Sequence, residues 1–357
     1  MSVSKEHNPG QFLILKLNEL RWDSSLEHLL HRVRPGGILV DAPLTCGAEA
    51  VSEFLFKATG AVEALPFLAL REEGGAMDPL GDFLPPLPSP RAVAEKGLEA
   101  VRRLGELVGA ALQLLGFNTD LAPSLDLPSP AADSIGQTRA FSADPQHLAT
   151  CGAVFLEGLE RHQVRACGKH FPGFAGAPSS TPNDLPLVSK SMAELWREDL
   201  VPYRALLPSL PLVLLSTAAY KAYDFDLPQS AALSPKVVEG LLRVKLGFDG
   251  VAIAYGLETK AVCGTLTLEE AALQALRAGC DMLLLEDAGA AARVQAALGA
   301  ASSSGKLPSL RIEQALERIR HAKQGLKPPR GPLPRGSLDR LAKEFTNFSA
   351  PFGLPVS

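Results

Sequence analysis

Lys169 and His170 stand at the end of an apolar run, ACGKHF at 166–171, and open a loop, GKHFPGFAGAPSSTPNDLP at 168–186. An ammonium and an imidazole where a buried segment gives way to a loop can grip a polar ligand or move a proton. Yet between Phe174 and Asn183 the loop has no titratable residue. Any acid or base must come from elsewhere. The carboxylates near other apolar runs are Glu72 and Glu73 in REEGG (71–75), Asp126 in LAPSLDL (121–127), Asp184 in PNDLP, Glu258 after GVAIAYGL (250–257), and Glu286 at the end of DMLLLE (281–286).

These residues need elements to hold them. Short apolar runs of buried-strand type recur eight times: FLILKL (12–17), GGILV (36–40), PFLAL (66–70), NTDLAP (118–123), ACGKHF (166–171), LVLLS (212–216), GVAIA (250–254) and DMLLLE (281–286). Helical periodicity separates most of them, as at 92–116 and 147–162. TLEEAALQALRAG (267–279) has a Thr cap, an acidic first turn and a terminal Gly. Eight strands alternating with helices predict an α/β chain folded as one (β/α)8 barrel over residues 1–325. In such barrels chemistry sits on loops after the strands. That rule selects Arg71 to Gly75, Asp126 to Arg139, Lys169-His170, Thr217, Tyr255-Gly256 and Glu286-Asp287.

The bulk composition narrows the partners. Apolar residues make 46% of the 357, charged residues 21%, and the net charge is −4 with no basic run, which speaks against nucleic acid. Five scattered cysteines form no CxxC pair, so neither a zinc site nor a disulfide framework is expected. RPGG (34–37) and EEGG (72–75) are glycine pairs, not a dinucleotide fingerprint, and no cofactor is expected. No apolar run reaches the ~18 residues of a membrane span. The start, MSVSKEHNPG, lacks a signal-peptide layout, so a cytoplasmic protein is expected. Residues 326–357 read as a proline-rich linker and short tail, whose Phe345, Phe348 and Phe352 either fray or dock.

The motifs KHFPG (169–173), EEGG (72–75), FLPPLPSP (83–90), LAPSLDL (121–127), RAFSADP (139–145) and LGFDGVAIAYGL (246–257) resemble glycoside hydrolase family 3. Within it they are similar to the single-domain bacterial β-N-acetylglucosaminidases of peptidoglycan recycling. The likeness runs in order from about residue 10 to about 325. It implies a retaining mechanism. An Asp after strand seven attacks the anomeric carbon, and a His paired with an Asp on the loop after strand five protonates the leaving oxygen.

Position by position, the implied chemistry is missing. Tyr255 stands where the resemblance puts the nucleophile. A phenol serves as nucleophile in sialidases, but the structural alternative, a ring filling the strand mouth, is favoured. Ser180 and Pro182 take the acid/base pair. Asp184 lies two residues further on, where a turn is the commoner role of Asn-Asp. Arg71 replaces a hydroxyl-accepting Asp, and a guanidinium cannot accept a hydrogen bond. Ala76, Thr217 and Lys221 replace an Arg, a His and a Pro. Lys169, His170, Arg139 and Asp126 match substrate-binding positions. Their structural alternative is a buried polar network closing the barrel.

The resulting expectation is a degenerate hydrolase that keeps sugar or cell-wall-fragment binding. One rival is an active hydrolase with relocated groups, Glu258 or Glu286 as nucleophile and Asp184 or Glu73 as acid. The other is a protein-interaction scaffold whose mouth is filled by Tyr255, Phe174 and the proline-rich tail.

Overall fold

The computed structural model describes residues 8–128, 134–174, 184–331, 333 and 336–354. Eight parallel strands close into a barrel in chain order. They are β1 Leu13–Leu17, β2 Gly37–Val40, β3 Phe67–Leu70, β4 Thr119–Asp120, β5 Arg165–Phe171, β6 Leu212–Leu215, β7 Val251–Ala254 and β8 Met282–Leu285. β1 closes the ring, pairing Ile14 with Gly37 on one side and with Leu284 on the other. Every residue of β2, β3, β6, β7 and β8 is buried. Helices cover the outside while side chains fill the inside, which is why these strands read as unbroken apolar runs.

β4 is shorter than the predicted 118–123, although backbone bonds to β5 continue through Ala122 O and Pro123 O. The predicted helix 92–116 is two helices, Pro90–Glu95 and Leu98–Leu115. Gly97 between them has φ +98°, a conformation that interrupts a helix and suits glycine. Helix Leu268–Ala278 has the capping box that its sequence signals. Thr267 accepts from the Glu270 N–H, Glu270 returns the bond, and Gly279 ends the helix in the left-handed conformation.

The chain beyond 325 runs up the outside of the barrel. Pro329 packs on Gly116, just before β4, at the barrel's N-terminal end. Helix Asp339–Ser349 then lies on Leu98–Leu115, with Phe345 fully buried and Arg103 paired to Glu344 at 2.7 Å. At its end Ser349 Oγ donates to Pro86 O at 2.7 Å. The proline-rich stretch therefore starts opposite the strand mouth. This corrects the scaffold reading in which that stretch filled the mouth.

Candidate functional site

Two groups of polar side chains occupy the C-terminal ends of the strands. The first is built on β3, β4 and β5. After β3 the chain turns sharply at Gly74 (φ +79°) and Gly75 (φ +61°). A Cβ at Gly74 would lie 2.5 Å from Pro88 O, so only glycine lets the 86–89 loop approach this closely. The turn anchors two adjacent acids differently. Glu72 is buried and accepts from the Gly74 N–H at 2.8 Å and the Leu80 N–H at 3.2 Å. Burial, with Asp78 and Asp120 nearby, pushes its pKa well above the usual carboxylate range. Glu73 is also buried, which alone would raise it, but Lys169 and Arg139 bring it down to about 2. Lys169 Nζ lies 2.5 Å from Glu73 Oε1, and Arg139 clamps both carboxylate oxygens at 2.7 and 3.0 Å.

Lys169 is 1% exposed and also donates to Leu121 O. His170 is placed by a register shift, since Lys169 pairs with Leu214 and Phe171 with the very next residue, Leu215. The extra residue leaves the ladder and re-aims its ring. His170 Nδ1 meets Asp126 Oδ2 at 2.7 Å. Asp126 Oδ1 accepts backbone N–H groups from His170 (3.2 Å) and Phe174 (2.8 Å). Burial raises the Asp126 pKa, but His170 and these N–H bonds overcome it and hold the group below its ordinary value. The structure thus joins Lys169, Arg139, His170 and Asp126 in one region. Asp120, buried behind them, has its pKa pushed well up by burial.

The second group spans β7, β8, β1, β2 and β3. Arg71 Nη2 donates to Asp41 Oδ1 at 2.5 Å. Lys16 Nζ lies 2.9 Å from Asp41 Oδ2 and 2.6 Å from Glu286 Oε2. The Glu286 N–H in turn donates to Glu258 Oε1 at 2.7 Å. Burial lowers the Lys16 pKa, but Glu286 and Asp41 outweigh it and hold it above that of a free lysine. Burial, with Glu286 adding, raises the Glu258 pKa. Sequence reasoning does not single out Lys16 or Asp41. A lone cation in FLILKL and the first residue after GGILV are the signals that could have found them.

The remaining candidates drawn from the sequence lie in different settings. Glu73, offered as an acid, is held ionised by two cations and has no proton to give at neutral pH. Glu258 and Glu286 project from the ends of neighbouring strands β7 and β8, and the Glu286 backbone N–H donates to Glu258 Oε1. Asp184 is exposed. Ser180 and Pro182 lie outside the described residues. Tyr255 is half-buried against the core and acts electrostatically on Arg139. Among the described residues, no group of three or more His, Cys, Asp or Glu could hold a metal ion, and no helix is long and apolar enough to cross a membrane.

Residues 17–322 match the model of the glycosyl hydrolase family 3 N terminal domain. The chain belongs to glycosyl hydrolase family 3. A beta-hexosaminidase of Pseudomonas aeruginosa is 32% identical over 276 residues, 76% of this chain and 81% of that protein. Among solved structures, beta-N-acetylhexosaminidase from Beutenbergia cavernae superposes with a TM-score of 0.82 at 25% identity, covering 90% of this chain and 99% of the other. The beta-N-acetylglucosaminidase from Thermotoga maritima gives 0.79 at 26% identity, covering 89% and 67%.

Proposed function

We propose that this family 3 barrel binds an amino-sugar ligand, of the kind found in peptidoglycan fragments, and has lost the hydrolysis its relatives are named for. The reading includes a cytoplasmic location. One observation carries it. Lys169, Arg139, His170 and Asp126 are held in place by ion pairs and backbone hydrogen bonds, at positions that match the family's sugar-binding residues. At the nucleophile position, by contrast, a phenol replaces the carboxylate. A preorganised set of this kind grips a ligand without reacting with it.

The test has two arms. Isothermal titration with N-acetylglucosamine and its muramyl disaccharide is expected to give saturable binding that Lys169→Ala abolishes. Incubation with an aryl β-N-acetylglucosaminide is expected to release no aglycone above background. Turnover that disappears in Tyr255→Phe or Glu258→Gln would overturn the reading and favour the relocated-group hydrolase.

A further inference from the structure

The second polar group at the mouth is not explained by the sugar-binding set above. Its five members, Glu258, Glu286, Lys16, Asp41 and Arg71, come from the ends of five successive strands around the ring and form one unbroken chain of ion pairs and hydrogen bonds. Three buried atoms in it have no hydrogen-bond partner among the described residues: Glu258 Oε2, Glu286 Oε1 and Arg71 Nε. Buried polar atoms without partners are costly and uncommon, and three along one chain of ion pairs call for partners, whether water or the polar atoms of a ligand. Glu286 and Arg71 keep 25% and 21% of their side chains exposed, so each reaches the surface although its unpaired atom is buried.

The kind of partner follows from the unpaired atoms. Two are carboxyl oxygens and one is a guanidinium N–H. A carboxylate or phosphate could accept from Arg71 but would face two acids. An ammonium could donate to the acids but would face Arg71 and Lys16. A hydroxyl donates and accepts at once and suits both. The charges agree in part, since Glu258, Glu286 and Asp41 set three acids against the two cations Lys16 and Arg71, leaving no positive surplus to attract an anion.

The geometry points to Glu286, with Glu258 beside it, as the hydroxyl-accepting wall of the sugar site, in place of the carboxylate that Arg71 displaced from the β3 side. The ligand class is a neutral, hydroxyl-rich sugar. Arg71, tied to Asp41, donates to the same ligand. This inference rests on the sugar-binding reading of the Lys169 half.

The test is titration of the full chain with N-acetylglucosamine and analogues that each lack one hydroxyl, using wild type, Glu286→Leu, Glu286→Gln and Lys169→Ala. Circular dichroism confirms that each variant is folded. In wild type, one deoxy analogue is expected to bind roughly 10- to 100-fold more weakly, the effect of one hydrogen bond to a charged group. In Glu286→Leu the parent sugar weakens by the same factor and the gap to that analogue closes to within about twofold. A merely structural Glu286 would leave every gap open. If Glu286→Leu does not fold, Glu286→Gln, which keeps an acceptor oxygen, is expected to narrow the same gap without closing it. Gaps unchanged in every folded Glu286 variant, with binding still abolished by Lys169→Ala, would overturn this inference alone. Absence of binding by any sugar would overturn the function reading and this inference with it. Tighter binding of glucuronate or glucosamine than of N-acetylglucosamine would overturn the neutral-ligand assignment.

Discussion

Arg71 and Asp41 are joined across the ends of β3 and β2, Nη2 to Oδ1 at 2.5 Å, and Asp41 is shared with Lys16. Arg71 thus has its own counter-charge on the neighbouring strand. Placing a carboxylate at 71 alone should do harm. Arg71→Asp would set two acids together with only Lys16 between them. The expected cost is about 1–2 kcal/mol at low salt, and less at high salt as the repulsion is screened. Urea unfolding at both salts measures it. The double variant Arg71→Asp/Asp41→Asn should recover most of the loss.

Glu73 is the anion on which Lys169 and Arg139 converge. Its pKa, normally 4.5, is held at about 2 in the fold. A depressed carboxyl pKa means the unfolded chain binds the proton more tightly. The pair's contribution is therefore complete above about pH 4.5 and disappears as pH falls toward 2. Glu73→Gln should remove this acid-side loss and, at neutral pH, cost about 3–5 kcal/mol, because it leaves buried Lys169 without its counter-charge. Denaturant unfolding across acid pH separates the two effects. A variant that keeps the wild-type slope would assign that slope to another group, such as Asp126.

The barrel was legible because its strands are buried on both faces and so spell eight short apolar words. Lys169, His170, Arg139 and Asp126 could be placed together because the first two end the β5 motif and the other two lie in motifs on the segment after β4. The linkage among Lys16, Asp41 and Glu286 was not legible. The three are separated by up to 270 residues and meet only because β8, β1 and β2 are neighbours in the closed ring. Nor could sequence separate the fates of Glu72 and Glu73, adjacent acids driven in opposite directions by what their side chains happen to face.

Lys323 sits at the other end of the barrel, its Nζ 3.1 Å from Gln11 Oε1 and 5.3 Å from the centroid of the Phe67 ring. Burial lowers its pKa from 10.5 to about 7. The folded state therefore binds this proton less tightly than the unfolded chain, and stability should rise with pH between about 7 and 10.5. Lys323→Met should abolish that rise and stabilise the protein by about 1 kcal/mol at or below neutrality, since no charge then needs to be desolvated. Thermal unfolding at neutral and alkaline pH checks both.

Asp281, fully buried just before β8, gathers three guanidiniums. Arg243 donates to its Oδ2, Arg311 lies 2.6 Å from Oδ1 and Arg318 3.4 Å from the same oxygen. Oδ2 also accepts the Ala252 N–H of β7 at 2.9 Å. One carboxylate thus compensates three partly buried cations and ties two strands together at the closed end, far from the mouth. Asp281→Asn keeps the shape but removes the charge. It should destabilise the fold by about 3–5 kcal/mol, the range for removing one side of a buried ion pair. Because the site lies at the opposite end of the barrel, sugar binding measured well below the melting temperature should be unchanged. A variant that lost binding while still fully folded would show that the closed end sets the geometry of the mouth.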